Sequence, residues 1–228
     1  MGRCCVVLQG YFTKVFSHLE KRKSKFSPSL KAQAIVLVLA GMSLRRVAYL
    51  LFPSHESVRR WLIKLERYIQ ELNYVERKPR SLVAIDETYL KVKGKRVFVW
   101  SAIDKQTKEL LAIKATFRRD EKETWEFIRE VRDKCEGKVC FLVDHGPWYK
   151  AVFDSIGAFY VQLTFGERNA IERLFRTVKE EARRFCLSFP GTRRDLNVYL
   201  RRFQFWYNRF RKHMSLGQPP FPLPHPLL

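Results

Sequence analysis

Acidic residues are scarce in this sequence: 23 Asp and Glu stand against 44 Lys and Arg in 228 residues, a formal charge of +21. It contains no Cys-x-x-Cys pair, and its five cysteines, Cys4, Cys5, Cys135, Cys140 and Cys186, are an odd number. Cys135 and Cys140 stand five apart with no His pair downstream, which excludes a zinc finger and leaves reduced thiols as the expectation. Long apolar runs are missing too. The longest, Ala34–Ala40, is far too short to cross a bilayer, so no membrane association is expected. Arg3 and two cysteines precede a polar stretch, which is not signal-peptide architecture, and a cytoplasmic protein is expected. Aromatic residues are not scarce. At 14%, with 46% hydrophobic residues overall, they exclude a disordered polycation and suffice for a packed core.

The basic excess is uneven. Residues 1–80 carry 16 basic against 5 acidic residues, residues 173–228 carry 12 against 3, and residues 81–172 carry 16 against 15. Charge concentrated at both ends of a nearly neutral centre points to a polyanion, because each phosphate neutralised releases counterions.

Four segments follow from composition and periodicity. Residues 1–27 form an N-terminal basic segment with no assigned element. Residues 28–75 read as an all-α domain: Leu30–Ala40 stops at Gly41, Ser43 caps Leu44–Leu51, and Ser54 caps a helix running to about Leu72. Val58, Trp61, Leu62, Leu65 and Ile69 fall on one face of that last helix, leaving Arg59, Arg60 and Lys64 outside, as a helix-turn-helix reading DNA requires. Residues 81–215 change pattern. Three strands (81–92, 96–103, 109–117) precede a helix capped by Asp120 with Glu123. A strand at 138–143, a helix at 148–156, a strand at 159–165 and a helix at 168–185 follow. After Pro190-Gly191 comes a helix with Leu196, Tyr199, Phe203, Trp206 and Phe210 on one face, and residues 216–228 form a Pro-rich tail. The order of elements predicts an α/β, ribonuclease-H-like mixed five-stranded sheet with flanking helices, preceded by the helix-turn-helix domain.

In such a sheet the first and fourth strands are neighbours. Asp86 interrupts the apolar run Leu82–Ile85, and Asp144 directly follows Cys140–Val143, so two carboxylates converge at one place. Bare, they would repel, and a divalent cation with oxygen preference is the economical way to hold them. A third carboxylate belongs on the long helix. Ile171, Leu174, Phe175, Val178, Ala182 and Phe185 mark its apolar arc, and Glu172, Arg176, Lys179 and Arg183 border that arc. Glu180, about 80° further toward solvent by ideal helix geometry, is the competitor. His145 is adjacent to Asp144 but reads as a surface neighbour, not a ligand.

With these residues in view, the chain resembles the DDE transposases of prokaryotic insertion sequences, most of all the insertion-sequence-six family and its archaeal-type branch. The resemblance rests on Ala84-Ile85-Asp86-Glu87-Thr88-Tyr89, Val143-Asp144-His145-Gly146-Pro147-Trp148-Tyr149 and Phe165-Gly166-Glu167-Arg168-Asn169-Ala170-Ile171-Glu172-Arg173. It implies a retroviral-integrase-type core in which Asp86, Asp144 and Glu172 are catalytic and hold Mg2+ (or Mn2+), two ions per active site. It implies that Asn169, Arg176 and Lys179 contact DNA. The Asn three before and the basic residue seven after the catalytic Glu match Glu172. The 27 residues between Asp144 and Glu172 are fewer than integrase-type enzymes usually have, and that spacing speaks for Glu180.

The implied function is metal-dependent cleavage at element ends and transfer of the 3′-OH strand into target DNA. The partners implied are terminal inverted repeats, target DNA and further copies of the chain, as a homodimer or higher oligomer, in a nucleoid-associated setting. Two other functions fit parts of the pattern: a catalytically silent DNA-binding derivative, and a ribonuclease-H-like nuclease that cuts without joining.

Overall fold

The computed structural model describes residues 3–20, 24–163, 169–182 and 191–221. The motif residues Phe165–Arg168, together with Arg183, Phe185 and Cys186, lie outside the described residues. Contacts divide the chain into a helical unit, reaching to Asn73 and resuming at Phe205, and an α/β unit, Tyr74–Gln204.

The helical unit contains α1 (Arg3–Leu19), α2 (Pro28–Leu39), α3 (Leu44–Leu51), α4 (His55–Lys64) and α5 (Glu66–Leu72). The first of these occupies the stretch to which sequence reading assigned no element. Leu8, Phe12 and Phe16 repeat every four residues and are wholly buried, but apolar neighbours at Val6 and Val7 blur the stripe in sequence. Ser27, Ser43 and Ser54 each accept a hydrogen bond from the backbone N–H three residues on, at 3.2, 3.2 and 3.1 Å, which satisfies one orphan donor per helix start. The helix expected from Ser54 to Leu72 is divided at Leu65, where α4 ends and α5 begins. Its stripe of Val58, Trp61, Leu62, Leu65 and Ile69 is buried throughout.

The α/β unit runs β1 (Lys78–Pro79), β2 (Leu82–Val92), β3 (Lys95–Asp104), β4 (Leu110–Thr116), α6 (Glu121–Arg132), β5 (Cys135–Glu136), β6 (Cys140–Val143), α7 (Pro147–Ile156), β7 (Phe159–Gln162) and α8 (Asn169–Ala182), and α9 (Arg193–Arg209) begins in it. Five strands form one sheet in the order β4-β3-β2-β6-β7, while β1 and β5 pair separately. Strands β2, β3 and β4 are antiparallel; β2, β6 and β7 are parallel. Lys93 and Gly94, at φ 48° and 80°, make the two-residue turn between β2 and β3, with the backbone twist such hairpins need. The result is the ribonuclease-H-like mixed sheet.

One face of the sheet carries Val83, Ile85, Trp100 and Phe141, packed against Phe127, Ile128 and Val131 of α6 and Tyr149, Val152 and Phe153 of α7. Helix α8 lies along β2 and β3 and buries Ile171, Leu174 and Phe175. Helix α9 closes the free edge. Asn197 accepts from the Ala115 N–H at 2.7 Å and donates to the Ala115 carbonyl at 3.0 Å, and Gln204 donates to Leu110 and Leu111 carbonyls. Side-chain amides thereby occupy backbone groups of β4 that would otherwise invite another strand.

Buried positions on α9 are not the expected stripe. Leu196 and Phe203 are buried as anticipated, but Leu200 and Tyr207 join them, while Tyr199, Trp206 and Phe210 are only half-buried. Phe205 packs into the core of the helical unit.

Candidate active site

Strand register decides where the carboxylates stand. Leu82, Val83 and Ala84 of β2 pair in parallel with Cys140, Phe141 and Leu142 of β6. Continued by two residues, that register sets Asp144 level with Asp86. Strand β6 ends at Val143 whereas β2 runs on to Val92, so the acidic pair sits where β2 loses its parallel neighbour.

Pleating sends alternate β2 side chains to opposite faces. Val83 and Ile85 enter the core beside α7, and the Glu87 side chain follows them to Tyr149. A cleft of about 400 Å³ is bordered by Asp86, Glu87 and Thr88 of β2 and by Glu172, Phe175, Arg176 and Glu180 of α8. Asp86 is 8% exposed, and its Oδ1 accepts from the Glu87 N–H at 2.8 Å. Asp144 Oδ1 accepts from the Gly146 N–H at 2.9 Å. Gly146 is required there, because a Cβ would lie 2.6 Å from the Trp148 ring and 3.0 Å from Asp144 Oδ1.

Asp86, Glu87 and Asp144 each offer one oxygen, and these oxygens lie within 4.8 Å of one another. Glu87 was quoted in the sequence motif but not singled out as a site residue. Alternation from Val83 and Ile85 gave the signal: a carboxylate on the core face of a strand demands partners. It has them, with the Tyr149 hydroxyl donating at 2.6 Å and Arg119 at 3.2 Å to a side chain only 2% exposed. Burial raises the Glu87 carboxyl to about 7; the Tyr149 hydrogen bond pulls it down, Asp144 and Asp86 push it up, and Arg119 pulls it down. Tyr149 is held well above the usual tyrosine range by burial and by Glu87, which keeps its hydroxyl a donor.

Glu172 is exposed on α8 and shares the cleft with Asp86, as do Arg176 and Glu180. Among the described residues, neither glutamate belongs to the tight group of oxygens. The side chains of Asn169 and Lys179 lie outside the described residues; their backbones are in α8. Arg59, Arg60 and Lys64 are exposed on α4, in the helical unit. Arg59 grips both oxygens of Glu56 at 2.8 Å and Arg60 reaches it at 3.3 Å. The Arg59 hydrogen bond leads in lowering the Glu56 carboxyl to about 2.

The donor set fits a hard divalent cation. Asp86, Glu87 and Asp144 bring three carboxylate oxygens within 4.8 Å of one another beside the end of β6, and such oxygen-only ligands suit Mg2+. No helix among the described residues is long and apolar enough to cross a membrane.

Comparison with known proteins gives the site a family context. Residues 80–186 match the family model of a DDE domain, of the IS240 transposase type. The uncharacterized protein MJ0017 of Methanocaldococcus jannaschii is 35% identical over 193 residues, which cover 82% of this chain and 89% of that one. An uncharacterized protein of Aquifex aeolicus, aq_aa24, is 36% identical over 50 residues, 22% of this chain and 41% of its own. Among solved structures, the catalytic core domain of HTLV-2 integrase in complex with magnesium aligns over 64% of this chain and 96% of its own, with a TM-score of 0.47 and 14% identity.

Proposed function

From the premise that this chain belongs to the DDE transposase family of insertion sequences, we propose that it cuts DNA at the ends of its element and joins the freed 3′-OH to target DNA. Polynucleotidyl transfer of the transposase type is the coarse function that the DDE domain carries. The observation that supports the finer reading is the register bringing Asp144 level with Asp86, beside a cleft that Glu172 shares with Asp86.

In this reading Asp86, Asp144 and Glu172 would hold two divalent ions, Mg2+ or Mn2+. Such ions supply Lewis-acid stabilisation of the attacking and leaving oxygens in an in-line displacement. Glu87, bonded to Tyr149 of α7 and to Arg119, ties those elements to β2 next to Asp86. Arg176 on the cleft wall takes a phosphate, and Asn169 and Lys179 on the same helix are assigned to DNA contact. In the first step a water oxygen bonds to phosphorus and the bond to the 3′ oxygen breaks, leaving a 3′-OH. In the second, that oxygen bonds to a target phosphorus and displaces the target's own 3′ oxygen, which takes up a proton. No protein–DNA bond forms. Arg59, Arg60 and Lys64 bind the terminal repeats, and two or more copies of the chain bring two ends together.

The test is a joining assay with a labelled duplex from the DNA flanking the reading frame, pre-cut to a 3′-OH, and a plasmid target. Joined products with Mg2+, lost in Asp86→Asn, Asp144→Asn and Glu172→Gln while binding persists, support the proposal. Cutting without joining would make the protein a nuclease, and binding alone would make it a silent DNA-binding derivative. A dead Glu180→Gln beside an active Glu172→Gln would move the third carboxylate to Glu180.

A further inference from the structure

Arg119 lies in the loop between β4 and α6, and neither motif spacing nor the acidic cluster calls for an arginine there. Its guanidinium lies over the Trp148 ring, with its central carbon 4.1 Å from the centroid, and 5.2 Å from the Phe98 centroid. One N–H donates to Glu87 Oε1 at 3.2 Å, and Glu87 is itself within 4.8 Å of the Asp86 and Asp144 oxygens. The arginine side chain is 41% exposed. Trp148 in turn presses on the Asp144–Gly146 turn so closely that residue 146 cannot carry a Cβ. Aromatic rings on a guanidinium's faces leave its edge to do the hydrogen bonding, and that edge is a planar fork matched to two phosphate oxygens.

Stability alone is a poor reason for this arrangement. The Trp148 indole N–H is buried without an acceptor among the described residues, an omission that costs the fold stability. Glu87 already accepts a hydrogen bond from the Tyr149 hydroxyl, so satisfying its oxygens does not require a half-exposed arginine packed against two rings. The indole packs against Arg119 while the guanidinium bonds Glu87, beside the carboxylates, and stays 41% exposed.

We propose that Arg119, stacked on Trp148 and steered by Glu87, is a phosphate-binding residue that grips a DNA phosphodiester flanking the one that reacts at Asp86 and Asp144. This rests on the strand-transfer reading given above. Arg119 takes no part in bond making; it sets the register of the strand, so that a neighbouring phosphorus stands in line with the attacking oxygen.

The experiment compares full-length wild type, Arg119→Lys, Arg119→Ala and Asp86→Asn on the pre-cut flanking duplex. Binding is followed by fluorescence anisotropy over a range of salt with Ca2+ in place of Mg2+, joining is followed with Mg2+, and circular dichroism checks the fold. Loss of one charge-assisted phosphate contact should weaken binding by about tenfold or more in Arg119→Ala and reduce the salt slope by about one. Arg119→Lys keeps the charge but loses the fork, so it should retain the salt slope while joining falls at saturating DNA. If Arg119→Ala misfolds, the lysine variant carries the test. An unchanged salt slope in Arg119→Ala, or full joining by Arg119→Lys, overturns the proposal. Joining by Asp86→Asn would instead overturn the strand-transfer reading, and the salt slopes would still report on Arg119.

Discussion

Tyr149, wholly buried on α7, donates its hydroxyl to Glu87 on β2 across 2.6 Å, so the helix that follows Asp144 is bonded to the strand that carries Asp86. The acidic site is held together by a hydrogen bond between residues 62 positions apart, independently of any ion.

Removing that bond while keeping the ring is the most direct probe of the site's rigidity. Tyr149→Phe should destabilise the protein by about 1.5–3 kcal/mol, the range for a hydrogen bond to a charged group, as read from urea unfolding midpoints. Joining should fall as well. A variant as stable as wild type would show that the bond contributes nothing to holding β2 and α7 together.

Metal binding should be visible without catalysis. A ligand that binds only the folded state stabilises it by about 2.7 kcal/mol at a hundredfold excess over its dissociation constant. Mg2+ or Mn2+ should therefore raise the thermal midpoint of wild type, and EDTA should reverse the rise. Asp86→Asn and Asp144→Asn should start from a similar or higher midpoint, since each relieves carboxylate crowding, and show little response to metal. An equal rise in the variants would place the ions elsewhere.

On α4, Glu56 occupies the guanidinium of Arg59 and touches Arg60, so it competes with phosphate for both. Alanine at Arg59, Arg60 and Lys64 should weaken binding to the flanking duplex and flatten its salt dependence. Glu56→Gln should do the opposite and tighten binding, because it removes a negative charge and releases two cations. Gel-shift titrations across salt concentrations measure both, and weaker binding by Glu56→Gln would mean that the ion pairs orient the arginines for DNA.

Cys135 offers a pH probe of the α/β core. Burial raises its thiol from an ordinary value of 9 to about 11, with Arg80 opposing the rise. The folded state thus prefers the neutral thiol. Its contribution to stability is complete below pH 9 and disappears as pH climbs toward 11. Cys135→Ala should lose less stability than wild type between those values. Iodoacetamide should label Cys135 in the native protein far more slowly than a free thiol, with peptide mass spectrometry as the readout.

Local chemistry carried much of this architecture. Serines at 43 and 54 announced helix starts, Asp120 with Glu123 announced α6, and alternation with apolar runs announced the strands, because caps and side-chain periodicity act within a few residues. Asp86 and Asp144 were legible as isolated carboxylates ending apolar runs. What neighbouring residues could not specify was left to contacts between distant ones. Helix α1 depends on burying Leu8, Phe12 and Phe16 against the helices that follow, and Phe205 enters that same core from the far end of the chain. Glu87 becomes part of the site only when Tyr149 and Arg119 arrive from α7 and the β4–α6 loop. Sequence determined which carboxylates were available; parallel register between β2 and β6 decided which of them share a space, since the few ångströms that make three carboxylates one group exist only after the strands have paired.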